Sequence, residues 1–179
     1  MGTNKKPRKA YRPRPVDPGA TIVAMCSAAK LPQDKVRKAL AGIEGALLDL
    51  QRGIEPEFKL RVLSDMLNVA EQLARLGICS DEESCQVIGE GQLTVARLCE
   101  QHAATGSWTM RAADIAALRE AMIRHCIQLQ HCSHREYESS LDAVERIVSQ
   151  ALAGNAGHKT IVIGHIDGSK PWRLGKTAA

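Results

Sequence analysis

The amino-acid sequence predicts an all-α fold: a compact helical bundle of about five helices, with an extended basic N-terminal arm and a short C-terminal β element. Three observations predict it. Apolar residues fill 44% of the 179 positions but aromatics only 3%, so the core is built of Ala, Leu, Ile and Val, which suits helix packing better than a sheet. Between residues 18 and 153 the apolar positions recur at helical spacing. Pro and Gly punctuate those runs where helices begin and end. The chain divides accordingly into an arm (1–17), a helical domain (18–153) and a segment of loop, short strand and basic tail (154–179).

The arm, MGTNKKPRKAYRPRPVD, holds Pro7, Pro13 and Pro15, and Pro18 comes just after it. Each Pro removes a backbone donor and biases its predecessor toward extended geometry, so this segment reads as polyproline-like, without a core of its own. A helical pattern runs from about Pro18 to Ala29, carried by Ile22, Val23, Met25 and Cys26. Pro32 suits the first turn of the next helix, with Asp34 near its positive end. Val36, Leu40, Ile43, Leu47 and Leu50 form its stripe, and Gly53 is placed to end it.

A third helix opens after Glu55-Pro56, with Leu60, Leu63, Leu67, Ala70, Leu73 and Leu76 on one stripe and Gly77-Ile78 as its stop. Ser80 and Glu83 read as a capping box for a fourth helix that ends near Ala104. Gly89 and Gly91 inside it predict a kink or a close approach of another helix. After the turn Gly106-Ser107-Trp108, Thr109 is the expected cap of the long helical stretch from Asp114 to Leu152. That stretch lacks Pro and Gly and reads as one long helix or two joined ones, the spine of the bundle. Its seam Ile115, Leu118, Met122, His125, Leu129, Cys132 gives way to Tyr137, Leu141, Val144, Val148, one residue out of phase. This predicts a break near Ser133 or a change of neighbour there. Beyond the loop at Gly154, residues 159–166 (KTIVIGHI) are β-branched and form the one strand candidate.

Charge is distributed unevenly. The net charge is +4, but residues 1–14 hold six basic groups and no acid, and residues 158–179 hold four against one. The body, 15–157, has 14 basic and 19 acidic residues. The arm's Lys5, Lys6, Arg8, Lys9, Arg12 and Arg14 are spaced to track phosphates, and Tyr11 to stack on a base or ribose. Lys170, Trp172 and Arg173 offer a second anchor near the C-terminus. The partner expected is therefore nucleic acid or an acidic protein surface. A homodimer through the C-terminal strand or the long helix is a further expectation.

The remaining chemistry is weaker. His125-Cys126 and His131-Cys132 catch the eye, but a six-residue repeat turns the second pair to another face. Only His131 and His134 have chelating spacing on one helix, and His102, His158 and His165 would have to supply further ligands. Packing explains His125 and Cys132 better, and no metal or other cofactor is assigned. Gly154 to Thr160 lacks the spacing and the element order of a phosphate loop. Asp81-Glu82-Glu83 suits a helix N-terminus, and no catalytic constellation stands out, so no enzymatic role is assigned. Six cysteines without a C-x-x-C pair, and a basic start without an apolar h-region, predict free thiols in the cytoplasm. No apolar run is long enough to span a membrane.

The opening Lys6-Pro7-Arg8-Lys9-Ala10-Tyr11-Arg12-Pro13-Arg14-Pro15-Val16 resembles the start of small uncharacterised helical proteins of proteobacterial phages and plasmids. The resemblance covers about the first tenth of the chain and is compositional. It implies a mobile-element setting, in which accessory proteins regulate transcription, modulate replication or block host defences. It implies no catalytic residues. The sequence thus points to a non-catalytic accessory protein that binds nucleic acid or a nucleoprotein complex through its arm. The alternatives are a module that inhibits or adapts a host protein and, third, a metal-binding helical protein.

Overall fold

The apolar stripes pair off around one central helix. The structure, a computed structural model, describes residues 24–152, with side chains through residue 150. Residues 24–28 form a helical turn, and five helices come after it: α1 (Gln33–Gln51), α2 (Pro56–Arg75), α3 (Glu82–Thr105), α4 (Ala112–His131) and α5 (His134–Leu152). The all-α expectation holds for these residues. The arm and the 159–166 strand lie outside them.

The helix ends obey the Pro and Gly punctuation. Pro32 stands just before α1 rather than in its first turn, and Pro56 opens α2. Gly53 (φ +72°) and Gly77 (φ +90°) take left-handed backbone that a Cβ would disfavour. Each closes its helix with a paired set of bonds: Ile54 N–H donates to Asp49 O and Gly53 N–H to Leu50 O, then Ile78 N–H to Leu73 O and Gly77 N–H to Ala74 O.

Two expected caps are corrected. α3 is capped not by Ser80 and Glu83 but by Asp81, whose Oδ1 accepts from Ser84 N–H at 2.9 Å and Oδ2 from Ser84 Oγ–H at 2.7 Å. Glu83 instead meets Arg124 of α4 at 2.5 Å. Thr109 does not cap α4. Arg111 precedes that helix, and Asp114 reaches back to accept Arg111 N–H at 2.7 Å.

The spine is α2, not the stretch from Asp114 to Leu152. Helix α2 packs against α1, α3, α4 and α5, while α4 also meets α1 and α3. Half of its 20 residues are buried, among them Leu60, Leu63, Leu67, Ala70 and Leu73 of the expected stripe; Leu76 is exposed. The stretch from Asp114 to Leu152 is two helices, broken at Cys132-Ser133 where the phase shift lies.

Two apolar clusters form the core. The larger unites Leu47, Leu60, Leu67, Val95, Leu98, Leu118 and their neighbours. The smaller unites Leu31, Val36, Val69, Leu73, Leu129, Cys132 and Val144. Along α2 and α4 a polar layer falls between them: Asn68 and Gln72 on one helix, His125 and Gln128 on the other, all buried. Gln128 Nε2 donates to Ala70 O (3.0 Å) and Ile78 O (3.2 Å), which ties α4 to the end of α2. Its amide oxygen is thereby left for His125 Nδ1–H at 3.3 Å. The Gln128 amide, satisfied in this way, fixes the register of α4 on α2 at little net cost. Gly91 explains how α3 approaches so closely: a Cβ there would lie 2.7 Å from Leu67 Cδ2 and 3.0 Å from Ala121 Cβ. Gly89 faces open space.

Candidate nucleic-acid interface

The predicted contact residues Lys5, Lys6, Arg8, Lys9, Tyr11, Arg12 and Arg14, and likewise Lys170, Trp172 and Arg173, lie outside the described residues. The structure does describe the root from which the N-terminal segment departs. Breaking a helix exposes backbone groups that need partners. At the α4–α5 break Cys132 is extended (φ −75°, ψ 152°), and the chain ahead of α1 lies antiparallel to it, with Lys30 opposite Ser133. His134 N–H donates to Ala29 O at 2.9 Å and Leu31 N–H to Cys132 O at 3.4 Å. Leu31, 6% exposed, plugs the smaller apolar cluster beside Cys132 and Val144. Ser133 and Glu136 start α5 with reciprocal capping bonds. We call this junction the clasp.

Side chains gather on it. Lys35 Nζ donates to His134 Nε2 at 3.3 Å, although the two residues are 99 positions apart. The other ring nitrogen of His134 faces Glu138 Oε2 at 3.3 Å. His131, the other half of the chelating pair, is exposed. Among the described residues no group of three or more His, Cys, Asp or Glu is placed to hold a metal ion.

Of the His/Cys pairs conspicuous in the sequence, His125 and Cys132 sit in the packing, Cys126 is half-buried and His131 is exposed. His125 is 3% exposed, and burial, only partly offset by Gln128, pushes its pKa down to about 4, so the ring is neutral near pH 7. Burial pushes the Cys132 thiol up to about 11, with Glu136 adding to the effect, and the Cys99 thiol up to about 12. Thiols so raised are poor nucleophiles. The six cysteines are all free.

A second polar cluster closes the opposite end of α4. Asp114, 2% exposed, pairs with Arg97 and, at 3.0 Å, with Arg111. Burial pushes its carboxyl up, but the Arg111 bonds and the Arg97 charge outweigh this and hold it below the usual carboxylate range. Nearby the rings of His102 and Trp108 stack, with centroids 4.0 Å apart and planes 10° apart, and His102 Nε2 lies 3.7 Å from Glu57. These contacts join α2, α3 and α4 around the turn before α4.

Sequence reasoning did not single out Lys30 or Lys35, since nothing local joins them to His134. The partial signal was the out-of-phase seam, which marked a helix break or a change of neighbour near Ser133. No described helix is long and apolar enough to cross a membrane. In comparisons with known proteins, no family model, curated protein or solved structure matches this chain.

Proposed function

We propose that this protein is a non-catalytic accessory protein, in keeping with a bacterial mobile element, that binds nucleic acid or a nucleoprotein complex through its basic arm. The observation that supports the reading is the anchoring of the arm's root. Residues 29–31 are bonded into the α4–α5 junction, so the chain that leads to the arm is anchored there on a packed body. Covalent geometry keeps Arg14 within about 35 Å of Ala24. By the same measure Lys5, the farthest of the six cations, stays within about 65 Å; six tethered cations raise the local density of phosphate contacts, and the absence of acids from residues 1–14 avoids self-neutralisation.

The mechanism is electrostatic positioning. Lys5, Lys6, Arg8, Lys9, Arg12 and Arg14 meet phosphates and displace counterions, while Tyr11 stacks. Lys170, Trp172 and Arg173 add the second anchor. The test compares full-length protein with a chain lacking residues 1–15, titrated against labelled DNA and RNA at several salt concentrations. Six phosphate contacts predict a slope of log K on log salt of about −5 for duplex DNA. Absence of salt-sensitive binding, or binding unchanged by the deletion, refutes the reading.

A protein partner is the second reading, and exposed apolar side chains at the α1–α2 turn favour it. Leu48, Ile54 and Phe58 are 43%, 47% and 58% exposed there. A pull-down from nuclease-treated lysate that is lost on Phe58→Ala would favour it over the first.

A further inference from the structure

We infer that the clasp itself is a second nucleic-acid contact: Lys30, Lys35, Lys38 and Arg135, with His131 and His134 among them, form a body-borne site for a sugar-phosphate backbone. This inference rests on the nucleic-acid reading above and names where on the body the polymer lies.

Four observations carry it. First, the cations converge although the sequence separates them. Lys30 lies opposite Ser133 in the backbone pairing, Lys35 touches His134, Arg135 is the next residue, and Lys38 stands one turn of α1 beyond Lys35.

Second, Lys30, Lys35, Lys38 and Arg135 are exposed and form no ion pair with a carboxylate among the described residues. Elsewhere Lys59 is matched with Asp49, Arg75 with Glu71, Arg97 and Arg111 with Asp114, and Arg124 with Glu83 and Glu120, while Arg52, Arg119 and Arg146 form no ion pair with a carboxylate among the described residues and stand at the end of α1, on α4 and on α5. The acids near the clasp are partly committed, Glu136 to the Ser133 cap and Glu138 to His134, leaving Asp34 at the start of α1.

Third, the charge balance is reversed here. Residues 30–38 and 131–138 together hold five Lys and Arg against three acids, while the rest of 15–157 holds nine against sixteen. A polyanion is therefore repelled by most of the body and tolerated at the clasp.

Fourth, residues 29–31, twelve positions after the arm ends at 17, are bonded into the clasp, so the arm is tethered close to it in sequence. A strand of nucleic acid held by the arm is led onto it, and two linked contacts bind more tightly than either alone.

The experiment uses full-length chains and a labelled 24-base-pair duplex, with a single strand of the same length in parallel. The clasp variant carries Lys30→Gln, Lys35→Gln and Arg135→Gln. A control removes the same charge elsewhere with Arg52→Gln, Arg119→Gln and Arg146→Gln. An arm variant replaces Lys5, Lys6, Arg8, Lys9, Arg12 and Arg14 by Gln. The clasp variant is expected to bind at least tenfold more weakly than the control at 100 mM salt, with a salt slope reduced by about two to three. Equal binding by clasp and control variants overturns the inference and leaves the arm reading intact if the arm variant is impaired. An arm variant that matches the wild type while the clasp variant fails refutes the arm reading and supports this one. A wild-type chain that binds neither probe sinks both.

Discussion

Ser133 and Glu136 cap one another: Ser133 N–H donates to Glu136 Oε2 at 2.7 Å, and Glu136 N–H donates to Ser133 Oγ at 3.2 Å. The pair starts α5 in a stretch with neither Pro nor Gly to interrupt α4. The backbone and side-chain bonds from Ser133 also hold the Glu136 carboxyl below its ordinary pKa. Its stabilising contribution is therefore present above the unfolded value and fades as pH falls through the folded one. Ser133→Ala is expected to cost about 1 kcal/mol at pH 7, and less at pH 3. Urea denaturation at the two pH values checks it; an equal loss at both refutes the pH part.

His125 gives the opposite end of the same logic. Its folded pKa of about 4 lies below the ordinary 6.5, so between those values the unfolded chain holds the proton that the folded chain refuses. Stability therefore falls as pH drops from 6.5 toward 4, by on the order of 3 kcal/mol from this residue. His125→Gln is expected to be less stable at pH 7 but to lose less over that window. Parallel slopes of stability against pH for the two proteins would contradict the assignment.

Gly89 and Gly91 make a matched pair two residues apart on α3. At Gly89 the space is open, so Gly89→Ala is expected to stabilise by up to about 1 kcal/mol through helix propensity. At Gly91 the new methyl meets buried Leu67 and Ala121, and overpacking of about 1–3 kcal/mol outweighs that gain. Thermal melts of the two variants should move in opposite directions.

Leu31 is the apolar plug of the clasp. Leu31→Ala is expected to cost about 2–4 kcal/mol, since the site is nearly closed to solvent and lined by residues of several helices. Amide exchange at His134 should accelerate more than exchange within α2. Uniform acceleration would mean that the clasp opens only with the whole fold.

Helices α1 and α2 were legible almost to the residue because Pro32, Gly53, Pro56 and Gly77 are strong punctuation. The caps were not. The pattern Ser-x-x-Glu occurs at Ser80 and again at Ser133, and only the second is a capping box. Asp81 won at the first because its carboxylate reaches both the amide and the hydroxyl of Ser84. The centrality of α2 was hidden because Ser64, Asn68 and Gln72 fall outside its apolar stripe, yet they are buried. The shift near Ser133 was visible as a broken period, but the segment that enters there was not. Pairing between residues 29–31 and 132–134 leaves no local trace in sequence, so the cations it assembles had to come from the fold.

The clasp also has a mechanical meaning. It closes residues 29 through 134 into a ring fastened by two backbone bonds and one buried leucine. Tension on the arm, such as a bound polymer in motion would exert, loads that fastening before it reaches α1–α4. Small pulls are thus borne by the body as a rigid whole. A pull strong enough to part the fastening would free the α4–α5 break, where no Pro or Gly prevents the two helices from joining into one.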